Sequence, residues 1–405
     1  MQDAPCCLPR VPAGGTGCLY VHIPFCETLC PFCSFHRVQH DQQQAHRYFH
    51  CLREEIRCYH RSGFRFSSAY FGGGTPTTEP EELVETIALV RDLFGIYDIS
   101  VETNPGDLRP QILDALRSAH VTRLSVGVQS FDDRLLKQMG RYHSYGSGAV
   151  VLDHLRNAAG LFPTLNVDLM FNLPGQNLAS LVSDIELFRL SGANQVSFYP
   201  LMISPGSASC MERSIGLPDR HRLRLFYQTI LENIRSDFTP SSAWCFTRGG
   251  KASDEYIVEA DFYVGVGSGS FSYLDGTIYA TTFSLPAYEK RIAEGLTGIT
   301  ALSRLSELEQ MRYSLLVKMF GLRLDRDWAL QRYGPRFFRR VSAELRSLEW
   351  LGAAQRDERG WQLTERGLFW LMLMMAAFFE SVAKCREAMR APIFRGTESL
   401  FSEPS

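Results

Sequence analysis

Residues 19–33 read Leu-Tyr-Val-His-Ile-Pro-Phe-Cys-Glu-Thr-Leu-Cys-Pro-Phe-Cys. The stretch Cys18 to Ile23 alternates and is rich in β-formers, which predicts a strand. Cys26, Cys30 and Cys33 follow it, so they belong on a loop at the strand's end. Three thiolates can hold three irons of a cubane cluster and leave the fourth iron open to chelate a small molecule. The spacing Cys-x3-Cys-x2-Cys-x2-His also offers four ligands for zinc, with His36 or His22 completing a tetrahedron.

Working outward, Ser67 to Gly72 predicts a second strand that ends in Phe71-Gly72-Gly73-Gly74-Thr75-Pro76. Glycines let a backbone pass close to a ligand and bind its polar ends through main-chain groups. No Gly-Lys-Ser/Thr follows, so this is not a P-loop. Four more β-rich runs carry a polar group at or near their C-terminal ends: Ile99 to Pro105 with Glu102, Leu124 to Ser130 with Gln129, Leu165 to Met170 with Asp168, and Gln195 to Pro200. Helical patterns lie between them at Glu81–Phe94, Leu113–Ala119 and Ser147–Ala159. Strand and helix alternating about six times is the pattern of a parallel sheet or barrel. Its active site lies at the carboxyl ends of the strands, where Glu102, Gln129 and Asp168 would gather.

The 405 residues suffice for a large catalytic domain and a smaller appendage. Forty-two basic side chains against forty-four acidic ones give a net charge of −2 and no electrostatic footprint for nucleic acid. The longest apolar run, Leu368 to Phe379, falls short of the roughly 18 residues that cross a bilayer, so we expect a buried helix and no transmembrane segment. The N-terminal stretch lacks the apolar core of an export signal. The chain has eleven cysteines, which then read as free thiols in a reducing, cytoplasmic setting. Outside the cluster motif they are expected to be small packed or surface residues.

The stretches LYVHIPFCETLCPFC, FGGGTPTT, VETNP, VGVQSFDDRLLKQMGRYHS and DLMFNLPGQ, in this order, resemble the successive motifs of the HemN-like branch of radical S-adenosylmethionine (SAM) proteins. That branch includes oxygen-independent coproporphyrinogen III oxidase and a related haem chaperone. The resemblance is strong over about residues 18–210. It implies an α/β fold: a partial (β/α)6 radical SAM barrel followed by a smaller, mostly helical, winged-helix-like domain. The expected layout is an N-terminal extension at 1–17, a catalytic domain at 18–300 (core 18–210, extension 211–300), a C-terminal HemN-like domain at 301–390 and a flexible tail at 391–405.

The resemblance further implies that Cys26, Cys30 and Cys33 bind a [4Fe-4S] cluster. It assigns SAM contacts to Tyr20, Phe32, Gly73, Gly74, Thr75, Glu102, Gln129, Arg141 and Asp168. The residue types suit the task, since Arg141 can pair a carboxylate while Glu102 and Asp168 can accept from ribose hydroxyls or an ammonium. Some members hold a second SAM molecule, for which the matching region includes Pro200 and Phe271. The implied reaction is reductive cleavage of SAM to a 5′-deoxyadenosyl radical that takes a hydrogen from a small-molecule substrate such as a tetrapyrrole. The sequence is silent on the electron donor, and single-electron, low-potential delivery points to a small flavodoxin or ferredoxin. No side chain is singled out as a catalytic acid or base, and His143 reads as a surface or supporting group.

Two departures keep the reaction open. Coproporphyrinogen oxidases carry a fourth cysteine where Phe35 stands, and the chaperones' haem-binding His-Asn-x-x-Tyr-Trp motif has no counterpart. A methyltransferase or haem-degrading enzyme on the same scaffold, or a haem carrier with little turnover, therefore stands beside the oxidase reading. Residues 301–383 suggest helices and a hairpin like a winged helix, read as a lid rather than a DNA reader because the chain is not basic.

Overall fold

The computed structural model describes residues 2–3, 9–12, 14–203, 205–249 and 256–395. Six strands, each parallel to the one before, form its centre: β1 (Gly17–Ile23), β2 (Ser68–Gly73), β3 (Asp98–Thr103), β4 (Arg123–Gln129), β5 (Thr164–Phe171) and β6 (Gln195–Pro200). The crossovers carry helices α1 (Gln42–Arg61), α2 (Pro80–Phe94), α3 (Pro110–Ser118), α4 (Gly148–Ala158) and α5 (Leu178–Leu190). Local chemistry marks their ends. Pro80 opens α2 and Gly95, in the left-handed region, closes it, while the Ser147 hydroxyl accepts the Val150 amide at the start of α4.

Alternation along each strand decides which face meets the helices. Leu19, Val21, Ile23, Ala69, Phe71, Ile99, Val101, Leu124, Val126, Val167, Leu169, Val196 and Phe198 are buried in one core with Phe49, Leu52 and Ile56 of α1 and Leu83 and Ile87 of α2. Each such side chain contributes about 1.5–3 kcal/mol on burial, and a one-residue slip would turn it to the other face. The intervening positions point into the barrel and are polar. There Arg123 Nε donates to Gln195 (2.7 Å), Gln195 donates to Thr247 (3.0 Å), and Asn166 donates to Ser125 (2.8 Å) and Asp168 (2.8 Å). The lumen is thus a polar chamber rather than a filled apolar core.

The sheet continues past the six expected strands on both flanks. β7 (Cys245–Thr247) joins β6 antiparallel, with helix α6 (Leu223–Ile234) between them in sequence. On the other side β8 (Phe262–Val266) pairs parallel with β1 and leads into the antiparallel strands β9 (Phe271–Leu274), β10 (Thr277–Thr281) and β11 (Ile299–Arg304). Glu55 of α1 locks this flank in place. Fully buried, its carboxylate accepts from the Gly267 amide (2.8 Å), the Tyr288 hydroxyl (2.7 Å) and the Gly298 amide (2.6 Å). Burial raises its pKa above the usual range while these donors oppose the rise.

Helix α7 (Glu307–Phe320) leads into a small sheet of β12 (Arg323–Asp325), β13 (Ala354–Asp357) and β14 (Gly360–Leu363), ordered β12-β14-β13, with helices at Arg326–Tyr333 and Ser342–Trp350. This is the expected helix-and-hairpin pattern. The last helix, α8 (Glu365–Arg395), departs from expectation in length. Its Glu365–Ala391 portion is long and apolar enough to cross a membrane by length and composition, with a mean hydropathy of 1.6 in its best window. One third of that window is buried, less than the buried helix expected, and its packing includes Phe369 against Tyr227 (5.8 Å between ring centroids), Phe379 against Trp244 (5.7 Å) and Phe378 against Tyr313 (6.0 Å). Residues 391–395, expected in a flexible tail, continue this helix, and 396–405 lie outside the described residues.

Replacing Tyr288 by Phe keeps the ring and removes one donor to buried Glu55. The expected loss is about 1–2 kcal/mol of stability, read as a lower urea midpoint at unchanged slope; an unmoved midpoint would show that the Glu55 anchor does not bear on folding.

Candidate functional site: a cysteine loop against a glycine turn

The cysteine loop is pinned at its base before any ligand is considered. The Val38 amide donates to Pro24 O (2.8 Å) and the His40 amide to Cys26 O (2.9 Å), so residues 27–37 form a closed excursion from the end of β1. Arg37 donates to the carbonyl oxygens of Cys30 and Cys33 from inside that excursion. Cys26 and Cys30 are buried and Cys33 is half-buried. Burial pushes the Cys26 thiol up to about 11, partly offset by the Thr75 hydroxyl that donates to its sulfur (3.6 Å). Displacing that proton calls for a metal, which a soft thiolate binds strongly.

The glycine turn at the end of β2 meets this loop through its backbone. Gly74 N donates to Ile23 O (2.8 Å) and Thr75 N to Phe25 O (2.7 Å). A Cβ at Gly72 would sit 2.8 Å from the Glu102 carboxylate, one at Gly73 2.6 Å from the His22 ring, and one at Gly74 2.6 Å from Phe25 O. Gly73 also has φ +120°, which L side chains rarely adopt. The three glycines are therefore required by three separate neighbours.

A chain of hydrogen bonds joins the two loops to the strand ends. Arg141, 4% exposed, donates to Cys30 Sγ (3.3 Å), to Asn104 Oδ1 (2.8 Å) and to Gly127 O. Asn104 donates to Thr75 Oγ1 (2.7 Å), and Thr75 in turn donates to Cys26. Two of the three thiols are thus tied into one network with the turn. The Arg141 guanidinium also lies 4.5 Å from the centre of the Tyr145 ring. Its contacts with Cys30, Asn104 and Gly127 join the cysteine loop to the strand ends.

The remaining expected positions are placed as follows. Glu102 accepts from the Tyr70 hydroxyl (2.8 Å) and the Gly73 amide (3.1 Å), so its carboxylate borders the turn. Gln129 ends β4 at a register shift with φ +73°, a conformation uncommon for a non-glycine residue, and such outliers cluster at functional sites. Asp168 sits opposite Gly127 in the β4–β5 pairing and accepts from Ser125 (3.0 Å) and Asn166 (2.8 Å) inside the barrel. Tyr20 stacks with Tyr70 (6.1 Å) and Tyr256 (5.3 Å), which also meet each other (5.3 Å), so the three rings form one aromatic cluster. Phe32 packs with a small apolar cluster around Leu135, Met139, Met170 and Leu201. Asn104, Arg37 and Tyr70 were not expected as site residues, although Asn104 lay in the quoted VETNP motif.

Of the two histidines of the zinc alternative, His22 is engaged through both ring nitrogens and His36 through Nε2, its buried Nδ1 making no hydrogen bond among the described residues. His22 contacts Tyr20 OH (3.0 Å) through Nδ1 and His36 O (2.9 Å) through Nε2. His36 contacts the Ser268 hydroxyl (3.2 Å), in the turn after β8. Among the described residues no three His, Cys, Asp or Glu side chains converge on a single-ion position. A cubane spreads its ligands over separate corners, so three cysteines on a pinned loop suit it better than they suit a mononuclear ion.

Comparison with known proteins agrees. Residues 20–188 match the family described as the Radical SAM superfamily. The chain carries a radical SAM domain. It is 29% identical over 323 residues to the heme chaperone HemW of Lactococcus lactis, covering 76% of this chain and 83% of that one. It is 33% identical over 231 residues to the oxygen-independent coproporphyrinogen III oxidase of Paracoccus denitrificans, covering 54% and 51%. Among solved structures, coproporphyrinogen III oxidase (HemN) from Escherichia coli superposes with a TM-score of 0.73 at 23% identity, covering 89% of this chain and 90% of that one. The fold is therefore the partial radical SAM barrel, and the cofactors are a [4Fe-4S] cluster and SAM.

For a radical SAM domain the glycine turn offers a direct test. Gly73→Ala adds strain of about 1–3 kcal/mol from its φ alone, before the His22 contact is counted. SAM affinity of the anaerobically reconstituted protein, measured by equilibrium dialysis, should fall about tenfold or more while iron content holds; unchanged affinity would remove the turn from the binding site.

Proposed function

We propose that this protein is an enzyme that reductively cleaves SAM and uses the resulting 5′-deoxyadenosyl radical to take a hydrogen from a tetrapyrrole or another conjugated, largely apolar substrate. The observation that carries the reading is the network Cys30–Arg141–Asn104–Thr75–Cys26, which fixes the thiols against the glycine turn at the strand ends. When bound, the cluster supplies one electron to SAM through its cysteine-free iron.

The chain's own residues bind, orient and exclude water. In this reading Cys26, Cys30 and Cys33 hold the cluster. Gly73, Gly74 and Thr75 present main-chain groups to SAM, and Glu102, Gln129 and Asp168 accept from its ribose or ammonium. Tyr20 and Phe32 wall the site, and Arg141 holds the Cys30 loop at the strand ends. We take residues 18–300 as the catalytic domain and 301–390 as a C-terminal domain that covers it. A flavodoxin or ferredoxin in a cytoplasmic, reducing setting would supply the electron.

A second reading, a haem carrier with little turnover, is supported by the match to HemW over 76% of the chain and by Phe35 at the position of the oxidases' fourth cysteine. Anaerobic reconstitution separates the two. The enzyme forms 5′-deoxyadenosine when reduced with SAM, and Cys30→Ala loses both iron and cleavage. Stoichiometric haem binding without SAM cleavage in the wild type would establish the carrier instead. S-adenosylhomocysteine appearing beside 5′-deoxyadenosine would mark a methyltransferase.

A further inference from the structure

Tyrosine rings form an unbroken file from the barrel to helix α7. The file starts at Tyr20 on β1, the strand that feeds the cysteine loop, and passes to Tyr256 in the helical turn Tyr256–Glu259 (5.3 Å between ring centroids). It continues to Tyr263 on β8 (5.3 Å), to Tyr273 on β9 (6.3 Å) and to Tyr313 on α7 (4.6 Å). Tyr263 and Tyr273 are direct partners in the β8–β9 ladder, so the sheet itself holds the middle of the file. Tyr263, Tyr273 and Tyr313 line a cavity shared with Trp328, Tyr333 and the exposed Arg332, which brings the far end close to the surface. Tyr333 in turn lies 6.3 Å from Trp328.

Packing alone does not call for this composition. The chain holds 27 phenylalanines against 16 tyrosines, yet all five rings of the file are tyrosines. Phenylalanine would bury the same ring without a hydroxyl, whose burial costs stability wherever it goes unpaired. What the hydroxyl adds is a hydrogen that a radical can remove. Burial raises the pKa of Tyr263, Tyr273 and Tyr313 above the ordinary phenol value, which keeps that hydrogen in place. A phenolic O–H bond is weaker than the C–H bond that a primary alkyl radical forms, so transfer from the first to the second runs downhill. Between two phenols the exchange is nearly neutral, and rings this close exchange electrons readily.

We propose that the file Tyr20–Tyr256–Tyr263–Tyr273–Tyr313 is a radical relay that carries an oxidising equivalent away from the SAM site when no substrate hydrogen is at hand. This rests on the SAM-cleavage reading above and goes beyond it. The 5′-deoxyadenosyl radical takes the hydrogen of the Tyr20 hydroxyl, which leaves 5′-deoxyadenosine and a Tyr20 phenoxyl radical. Each further step moves one electron and one proton from a tyrosine to the phenoxyl before it, so the radical advances by one ring and the ring behind is restored. At the cavity a low-molecular-weight thiol gives one electron and one proton to the last phenoxyl and becomes a thiyl radical; two thiyl radicals couple to a disulfide. Tyr20 is then back in its starting state, and no radical remains beside the cysteine loop.

The test uses the full-length, anaerobically reconstituted protein in D2O with SAM, no other substrate, no thiol and one equivalent of photoreduced deazaflavin per cluster. A nitroso spin trap marks the radical, and peptide mass spectrometry locates the adduct. The wild type should give 5′-deoxyadenosine carrying one solvent deuterium, because phenolic hydrogens exchange, and an adduct at Tyr273, Tyr313 or Tyr333. Tyr263→Phe, which keeps the ring, should leave the deuterated product unchanged and shift the adduct back to Tyr20 or Tyr256. Tyr279→Phe, on β10 and outside the file, should leave the adduct where the wild type has it. Should Tyr263→Phe lose iron, Tyr256→Phe makes the same break one ring earlier. Product without solvent deuterium, or an adduct whose place does not depend on the break, would overturn the relay and leave SAM cleavage standing. No 5′-deoxyadenosine from the wild type would overturn the cleavage reading and the relay with it.

Discussion

The glycine turn approaches the cysteine loop more closely than any side chain would allow, and the site is arranged around that approach. Gly74 and Thr75 amides bond the backbone of Ile23 and Phe25, where the loop begins, and the added Cβ atoms would strike Glu102, His22 and Phe25 in turn. Because the contact is backbone to backbone, the loop cannot drift without breaking main-chain hydrogen bonds that have no other partner at hand. Thr75 then converts proximity into chemistry by donating to the Cys26 sulfur, and Asn104 and Arg141 extend the connection to Cys30.

The barrel makes such an arrangement affordable. Its strands bury their apolar alternate residues against the helices and leave polar ones on the inner face, so the chamber beneath the site is lined by Ser125, Asn166, Asp168 and Ser197 bonded to one another. The histidines near the cysteines have been drawn into the scaffold. His22 braces Tyr20 and the His36 carbonyl, and His36 reaches the Ser268 turn after β8, which Tyr48 also holds. The extra strand β8 therefore supports the cysteine loop from the side opposite the glycine turn.

Much of this was legible in the sequence because the constraints are local. β-rich runs placed the six strands to within one or two residues, a helix was placed at Glu81–Phe94, and the cysteine spacing narrowed the loop to a cubane cluster or a zinc site. What was not legible depends on residues distant in the chain. Arg141 was read from its charge, yet its partners Cys30, Asn104 and Gly127 come from other elements. The left-handed Gln129 arises from a register shift between two strands, which no one-dimensional pattern announces. Helix α8 runs on past its apolar stretch, and the return of Arg386 to Phe35 is a consequence of tertiary packing.

The central claim is that three cysteines on a pinned loop leave one iron corner for SAM. Electron–nuclear double resonance on the reduced cluster with SAM labelled at its amino nitrogen and carboxylate oxygen tests it most directly. The account predicts hyperfine coupling to both labels. Absence of that coupling, with a histidine nitrogen or a fourth protein sulfur bound to the iron instead, would contradict it.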